Sequence, residues 1–233
     1  MKKKYSYTGI VFIVLLFGIY VVRNLDDRLS NDKLIDDSRL NKVEKNNSKK
    51  ADLYTFSKVP AFEFVNQFGD TITNETYKDK VYVVEFFFST CPTICPKMNE
   101  KMLDIQSDFK NEENFGIASI SITPQIDSPK VLKLYAENNG ITHKNWHLLT
   151  GRSEEVVYAL SNQGFKLYAG KGEKEHGGFE HSGLFALIDK NGFIRSRKDD
   201  YGNPIMYYRA LNEQTFKHQI EELKEDIKLL LNE

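Results

Sequence analysis

Apolar residues in most of this chain fall into short continuous runs and helical stripes. Residues 81–88 and 115–122 are two runs rich in β-branched and aromatic side chains. Such runs are typical of strands that are buried on both faces of a sheet. Between them, Met98, Met102 and Ile105 recur at helical spacing and would share one side of a helix. The pattern therefore predicts a strand, a helix and a second strand of a parallel or mixed sheet.

The alternation of strands and helices continues along the second half of the chain. Ser128 and Pro129 predict a helix start, and Gly140 predicts its end. The expected buried face of this helix consists of Val131, Leu134 and Tyr135. The order as a whole predicts an α/β fold, a thioredoxin-like mixed sheet flanked by helices. The other predicted elements are a hairpin at 62–73, a strand at 146–149, a helix at 153–164, a loop at 169–180, a strand at 181–188, a turn at 189–192 leading into 193–197, and an amphipathic helix at about 213–231.

The two cysteines of the chain, Cys91 and Cys95, come directly after the first buried run. Cysteines at i and i+4 of a helix share one face, so their sulfurs can approach each other or hold one metal ion. The amides of a helix N-terminus also favour the thiolate, which is both the nucleophile and the metal ligand. A structural disulfide or two inert core thiols is the alternative, but disulfides seldom lie within one turn at a strand-to-helix junction. We therefore predict a site of redox or metal chemistry at this junction.

The N-terminus has the features of a membrane anchor. Three lysines at residues 2–4 precede an uncharged, largely apolar stretch at 5–22. At the rise of a helix this stretch is roughly 27 Å long, which matches the hydrocarbon layer of a membrane. A cleaved signal peptide is the alternative, but no small-x-small cleavage site occurs before Arg23. We expect residues 1–22 to form a basic tip and a transmembrane anchor, residues 23–54 a polar linker, and residues 55–233 the folded domain on the outer side of the cytoplasmic membrane.

Composition narrows the functional classes. The 233 residues suit one folded domain with appendages. There are 32 lysines and arginines against 33 aspartates and glutamates, so no overall charge favours binding to nucleic acid. Two cysteines cannot form a scaffold of several disulfides, so the stability of the domain must come from packing.

Five histidines are candidates for a third ligand beside the cysteines. We expect His218 to be solvated on the last helix, and His143 and His147 to be structural. His176 and His181 flank a pair of glycines in the predicted loop. His181 is expected to begin the following strand, which would fix its ring, whereas His176 is expected to be exposed. Position alone does not decide whether His181 is a ligand, because a histidine in a loop is more often structural.

Several blocks of the sequence resemble the Sco/SenC family of copper-handling assembly proteins. Residues 87–96, Phe-Phe-Ser-Thr-Cys-Pro-Thr-Ile-Cys-Pro, are similar to its hallmark Thr-x-Cys-Pro-x-x-Cys-Pro. Residues 180–182 and 187–192 look like its histidine strand and the turn that follows. Three further blocks also match, and they are residues 119–124, 127–129 and 149–151. The resemblance runs from about residue 60 to 197.

The resemblance implies that Cys91, Cys95 and His181 bind copper. Cu(I) is the expected state, and whether Cu(II) is also held is left open. Such proteins help to build the dinuclear copper centre of cytochrome c oxidase subunit II. The implied partners are that subunit or a similar copper acceptor, a thiol-disulfide reductant and, through the anchor, the membrane, but no nucleic acid. The expected function is thus a copper chaperone rather than an enzyme.

The donor types support copper independently of the family. Two soft thiolates and an imidazole suit Cu(I), and closing Cys91 and Cys95 into a disulfide would eject the metal. Zinc is possible by ligand count but lacks an obvious substrate pocket. The rival function is a membrane-tethered thiol-disulfide oxidoreductase that keeps partner cysteines reduced. Against it, three residues separate these cysteines where thioredoxins have two, and no proline between Pro129 and Pro204 could face the pair.

Two segments depart from the family pattern. Thr123 stands where family members usually have aspartate, so the contribution of that carboxylate to copper handling or partner contact is open here. Residues 199–208 match no block of the family.

Overall fold

The computed structural model describes residues 9–21, 53–212 and 216–233. Residues 9–21 form one helix, and nearly all its side chains are exposed. Within the described part of the chain, no helix is both long enough and apolar enough to cross a membrane. The predicted anchor, residues 5–22, is longer than this helix, and its two ends lie outside the described residues. Of the predicted linker, residues 23–54, only the last two residues are described. Membrane anchoring therefore remains a prediction.

A mixed sheet forms the centre of the domain. Its strands in the described residues are β1 (Tyr54–Lys58), β2 (Glu63–Asn66), β3 (Thr71–Thr73), β4 (Val81–Phe87), β5 (Phe115–Ser121), β6 (Trp146–Thr150), β9 (Leu184–Ile188), β10 (Phe193–Ser196) and β11 (Tyr208–Arg209). The strand order is β1-β10-β9-β4-β5-β6-β2-β3, and β11 also pairs with β9. A separate two-stranded sheet consists of β7 (Ala169–Lys171) and β8 (Phe179–His181).

The centre of this sheet confirms the two predicted apolar strands. β4 and β5 are buried along their whole length and pair in parallel from Val81 opposite Phe115 to Phe87 opposite Ser121. β6 continues the parallel part beside β5, whereas β9 runs antiparallel on the other side of β4. The parallel strands therefore present their carboxyl ends at one edge, where the cysteine segment begins.

Helices flank the sheet as the pattern predicted. Those of the domain are α1 (Cys95–Phe109), α2 (Pro129–Asn138), α3 (Glu154–Tyr158), which continues as a π-helical turn over Ala159–Phe165, and α4 (Ile220–Leu231). The expected cap of α2 is present, because the amide of Val131 donates to the Ser128 hydroxyl at 3.4 Å. α4 packs against β4 and α1, and α2 packs against β6. The predicted α/β order is confirmed.

The buried face of α2 was predicted wrongly. Leu132 and Ala136 are buried, whereas Val131 is 37% and Leu134 58% exposed. Two apolar stripes one residue apart run along this helix, so spacing alone could not identify the one that faces β6. Tyr135, which belongs to both stripes, packs partly against the core.

Two other expectations also need correction. The segment predicted as a loop at 169–180 is a hairpin of β7 and β8, and His181 ends β8 instead of beginning a strand. The last helix begins at Ile220 rather than near 213, and residues 213–215 lie outside the described part. Gln219 instead exchanges hydrogen bonds with Arg209 in β11, which holds the segment before α4 out of helical geometry.

Candidate metal centre

The cysteine turn, residues 88–95, connects the end of β4 to the start of α1. The amide of Cys91 donates to the Phe88 carbonyl at 3.2 Å, which closes the turn immediately after the strand. Cys95 is the first residue of α1, and Pro96 follows at a helix position that needs no amide hydrogen. The Cys95 amide donates to Cys91 Sγ at 3.4 Å. An amide at the start of a helix therefore points at the sulfur, an arrangement that stabilises a thiolate.

His181 reaches the cysteines from the end of β8. Its Nε2 lies 2.9 Å from Cys95 Sγ, and its Nδ1 lies 3.1 Å from the carbonyl oxygen of Ser182. A carbonyl can only accept, so Nδ1 carries the hydrogen of that bond and Nε2 is left with a free lone pair. Such a bond to the second ring nitrogen is the usual way of orienting a metal-binding histidine.

The three predicted ligands converge on one point. Their donor atoms, the sulfurs of Cys91 and Cys95 and a ring nitrogen of His181, lie within 4.8 Å of one another, and all three residues are buried. The two cysteines are not joined in a disulfide. Among the described residues this is the one group of three or more histidine, cysteine or acidic side chains with that proximity. Two soft sulfurs and an imidazole fit Cu(I), which accepts two or three ligands.

The surroundings push the pKa values of the two thiols apart. The hydrogen bond from the Cys95 side chain is the main cause that lowers the pKa of Cys91 to about 3, and the backbone amides of Cys95 and Thr93 add to it, while burial acts in the opposite direction. Burial, followed by the interaction with Cys91, raises the pKa of Cys95. The surroundings therefore favour the thiolate at Cys91 and the thiol at Cys95.

Glu85 is a buried carboxyl group near the site that the sequence reasoning missed. It lies in β4 and is 4% exposed. The Ser119 hydroxyl donates to it at 2.6 Å, and the indole nitrogen of Trp146 donates to the same hydroxyl at 2.9 Å. Burial raises the pKa of Glu85 to about 7, although Ser119 and the nearby His181 act in the opposite direction. The signal in the sequence was a single acidic residue inside an otherwise apolar run.

His176 stays apart from the cysteines. It lines the same cleft of about 280 Å³ as Cys91 and His181. However, its side chain is 48% exposed and its Nδ1 lies 3.7 Å from a carboxylate oxygen of Glu180. The structure thus places His181, and not His176, next to the two sulfurs. That His181 is a ligand remains a prediction.

His143 and His147 occupy structural positions, whereas His218 differs from its prediction. His143 is buried, with Nε2 3.2 Å from the carbonyl of Phe109. His147 lies in β6 with Nδ1 3.4 Å from the side-chain nitrogen of Asn66. His218 precedes α4 rather than lying on it, and the prediction that it is solvated is wrong, because the residue is half-buried and its Nδ1 is shielded from solvent. A larger cleft of about 710 Å³ near Phe64 contains no cysteine or histidine in its lining.

The hairpin of β7 and β8 packs directly on the cysteine turn. Gly177 has a φ of +83°, and a Cβ added there would lie 3.0 Å from the ring of Phe88 and 3.2 Å from Pro92. The Phe88 ring also meets the rings of Phe179 and His181 edge-on, at centroid distances of 5.7 and 5.9 Å. This glycine therefore allows the close contact that holds the histidine side against the cysteine side.

The chain is similar to proteins of one family. The SCO1/SenC family model matches residues 51–215. The SCO1 protein homolog of Bacillus subtilis (strain 168) is 34% identical over 150 residues, which are 61% of this chain and 78% of that protein. The solved structure of BsSco, described as a Sco family cytochrome c oxidase assembly protein with a disulfide switch, has a TM-score of 0.63 at 28% identity and covers 77% of this chain and 96% of its own.

A copper-bound structure shares the fold as well. Arabidopsis thaliana ScoI with copper bound has a TM-score of 0.56 and covers 76% of this chain and 100% of its own. At 19% identity this similarity shows the fold alone. Together the solved structures confirm the predicted thioredoxin-like mixed sheet. Copper as the predicted metal agrees with the Cys-Cys-His donor set.

Proposed function

The chain belongs to the SCO1/SenC family, and from this premise we propose that it is a membrane-anchored copper chaperone that matures the dinuclear copper site of cytochrome c oxidase. One observation carries the proposal: the donor atoms of Cys91, Cys95 and His181 lie within 4.8 Å of one another beside a solvent-open cleft. The relative BsSco is described as one of a family of cytochrome c oxidase assembly proteins. The acceptor proposed here is subunit II of that oxidase or a similar copper protein.

The proposed site holds Cu(I) through two thiolates and one neutral imidazole. Binding requires that Cys95, a thiol in the metal-free protein, loses its proton when the metal enters. The lone pair of His181 Nε2 is already directed at the Cys95 sulfur. Acid should weaken binding because protons compete with copper for all three ligands. Because Cu(I) is stable with either two or three ligands, the site can exchange one of its ligands for a ligand of the acceptor, which suits transfer rather than storage.

Oxidation of the pair would release the metal. In exchange with a partner disulfide, the Cys91 thiolate attacks one partner sulfur, and the other partner sulfur leaves as a thiolate. Cys95, after losing its proton to solvent, then attacks Cys91 and displaces the second partner sulfur. The products are a Cys91–Cys95 disulfide and a reduced partner, so two electrons pass to the partner. A thiol-disulfide reductant must restore the pair before copper can bind again.

The same exchange defines the second candidate function, a thiol-disulfide oxidoreductase that keeps partner cysteines reduced. The observation that favours it is the difference between the two thiols: the low pKa of Cys91, about 3, provides an attacking thiolate, while Cys95 stays protonated. The three-residue spacing between the cysteines favours the copper chaperone.

The proposed location is the outer side of the cytoplasmic membrane. Its basis is the apolar stretch at 5–22, which follows the basic residues 2–4. Mass spectrometry of the protein from its native membrane should find these residues retained. A mature N-terminus beyond residue 22 would contradict the anchor.

Copper titration of the purified full chain, in reduced and in disulfide form, distinguishes the two functions. The copper chaperone predicts one Cu(I) per reduced chain and none per oxidised chain. A reduced chain that turns over a disulfide substrate but binds no Cu(I) would favour the oxidoreductase.

A further inference from the structure

Asp127 is a fully buried carboxylate at the end of the segment that connects β5 to α2. Its Oδ2 accepts hydrogen bonds from the Ser121 hydroxyl at 2.6 Å, the Thr123 hydroxyl at 3.0 Å and the Ser89 amide at 3.1 Å. Its Oδ1 accepts from the Ser89 hydroxyl. These four donors are neutral, and they come from two different segments of the chain. A buried carboxylate with four donors holds these two segments firmly together, because a hydrogen bond to a charged acceptor is stronger than one between neutral groups.

The hydrogen bonds to Asp127 lie where the backbone pairing of β4 with β5 ends. The parallel pairing of β4 with β5 ends at Phe87, and the amide of Ile122 donates the last ladder bond to the Phe87 carbonyl at 2.9 Å. Ser89 follows two residues later and directs both its amide and its hydroxyl at Asp127. Cys91 is a further two residues along the chain. Asp127 therefore fixes the course of the chain between the end of the strand and the first sulfur.

We propose that Asp127 is a positioning residue for Cys91. By holding Ser89, it keeps the Cys91 sulfur in reach of the Cys95 amide and of the remaining ligands. Asp127 does not belong to the ligand group itself. The copper readout of this proposal rests on the proposed function, whereas its second readout, the potential of the Cys91–Cys95 disulfide, does not.

Thr123 completes the set of donors around Asp127. This is the position at which the resemblance leads one to expect an aspartate. A second carboxylate there would face Asp127, whereas the threonine hydroxyl donates to it. The departure at position 123 thus leaves one carboxylate, surrounded by donors, to hold the cysteine segment.

The chemistry of the side chain makes the proposal testable by a single substitution. A carboxylate offers two acceptor oxygens, whereas an amide offers one acceptor oxygen and an NH₂ group that only donates. Asp127→Asn keeps the shape of the side chain, but the NH₂ group that replaces one oxygen cannot accept the hydrogen bonds of the donors that face it. Ser89→Ala is milder, because it removes the hydroxyl bond and keeps the amide bond.

Asp226→Asn provides a matched control. Asp226 is also a buried carboxylate, 1% exposed, but its donors are Arg197 and Tyr208, which lie outside the cysteine turn. Each variant of the full chain would be compared with the wild type in three measurements: the Cu(I) affinity by competition with a chromophoric chelator, the midpoint potential of the copper-free Cys91–Cys95 disulfide, and the thermal midpoint of unfolding.

We expect Asp127→Asn to weaken Cu(I) binding by about 10-fold, the usual effect of removing a group that orients a ligand, and to shift the midpoint potential. Ser89→Ala should change both in the same direction by less, and it decides the matter if Asp127→Asn does not fold. Asp226→Asn should lower the thermal midpoint and leave both site readouts unchanged. Wild-type affinity and potential in the two site variants, or equal shifts in the control, would overturn the proposal. A wild type that binds no Cu(I) would instead overturn the proposed function, and the potentials would still test the role of Asp127.

Discussion

The two sides of the metal centre are built differently. The cysteine turn, residues 88–95, lies between a fully buried central strand and a 15-residue helix. The histidine hairpin, Ala169–His181, consists of two strands of three residues each, in a sheet separate from the main one. Each side brings its donor atoms to the same point. The contrast teaches that the sulfurs are fixed by the core of the domain, whereas the imidazole is fixed by the packing of a small hairpin on that core.

The two sides also differ in their chemistry. The cysteine turn sets the charge of the site, because it lowers the pKa of Cys91 to about 3 and raises the pKa of Cys95. The histidine hairpin contributes an oriented lone pair, held by the bond from His181 Nδ1 to the Ser182 carbonyl. Changes on the cysteine side should therefore remove the site, and changes on the histidine side should weaken it by degrees.

The largest effect is expected from the cysteines. Cys91→Ser combined with Cys95→Ser should eliminate measurable Cu(I) binding to the reduced protein, because a hydroxyl is a poor ligand for a soft cation. Each single change should remove most of it. Equilibrium dialysis against a Cu(I) chelator measures the stoichiometry. One copper per chain in the double variant would exclude the proposed site.

The next largest effect concerns Glu85, the buried carboxyl group in β4. Folding raises the pKa of Glu85 from 4.5 to about 7, so the folded protein binds its proton more tightly than the unfolded protein. The resulting contribution of Glu85 to the free energy of unfolding is fully present below pH 4.5 and is lost as the pH rises through about 7. It amounts to on the order of 3 kcal/mol.

Glu85→Gln should remove this pH dependence. Urea unfolding of the reduced, copper-free protein at pH 4.5 and pH 8 would compare the variant with the wild type. The wild type should lose more stability between the two pH values than the variant does. Equal losses would show that Glu85 titrates normally in the folded protein.

His181→Ala probes the histidine side directly. It should weaken Cu(I) binding by at least about 10-fold, since it removes one of the three proposed ligands but leaves both sulfurs. The Cys91–Cys95 disulfide should still form. His176→Ala is the matched control, because His176 lines the same cleft but pairs with Glu180. Competition titration of both variants decides the matter, and a larger loss in His176→Ala would reverse the assignment.

The smallest expected effect separates the packing of the hairpin from its backbone strain. Gly177 and Gly178 both have a φ of +83°, but only at Gly177 would a Cβ meet Phe88. Both changes to alanine should strain the backbone, and Gly177→Ala should cost about 1 kcal/mol more because of overpacking. It should also lower the Cu(I) affinity more. Chemical denaturation and copper competition measure the two effects, and identical behaviour of the two variants would show that the hairpin does not depend on this contact.

The cysteine turn and the histidine hairpin also differ in how well the sequence predicts them. The cysteine side was predicted, since a buried apolar run, a helical stripe and a second run are local patterns. The cap at Ser128 and the turn that ends at Gly192 were also predicted correctly, because they too depend on neighbouring residues in the sequence. The histidine hairpin was missed, because strands of three residues in a Gly-rich, charged segment leave no periodic signal.

Long-range packing accounts for the other misses. On α2, two overlapping apolar stripes were available, and only the position of β6 decides that Leu132 is buried rather than Leu134. The convergence of Ser89 and Thr123 on Asp127 depends on neighbouring strands that lie far apart in sequence. Local patterns could suggest His181 as a ligand only with the help of the family resemblance.

X-ray absorption at the copper edge of the Cu(I)-loaded protein tests the central claim most directly, because it counts the ligand atoms around the metal. Cys91, Cys95 and His181 predict two sulfur ligands and one nitrogen ligand on a single copper ion. The His181→Ala variant should lose the nitrogen and keep both sulfurs. A copper ion with fewer than two sulfur ligands, or a nitrogen that persists in that variant, would contradict the site described here.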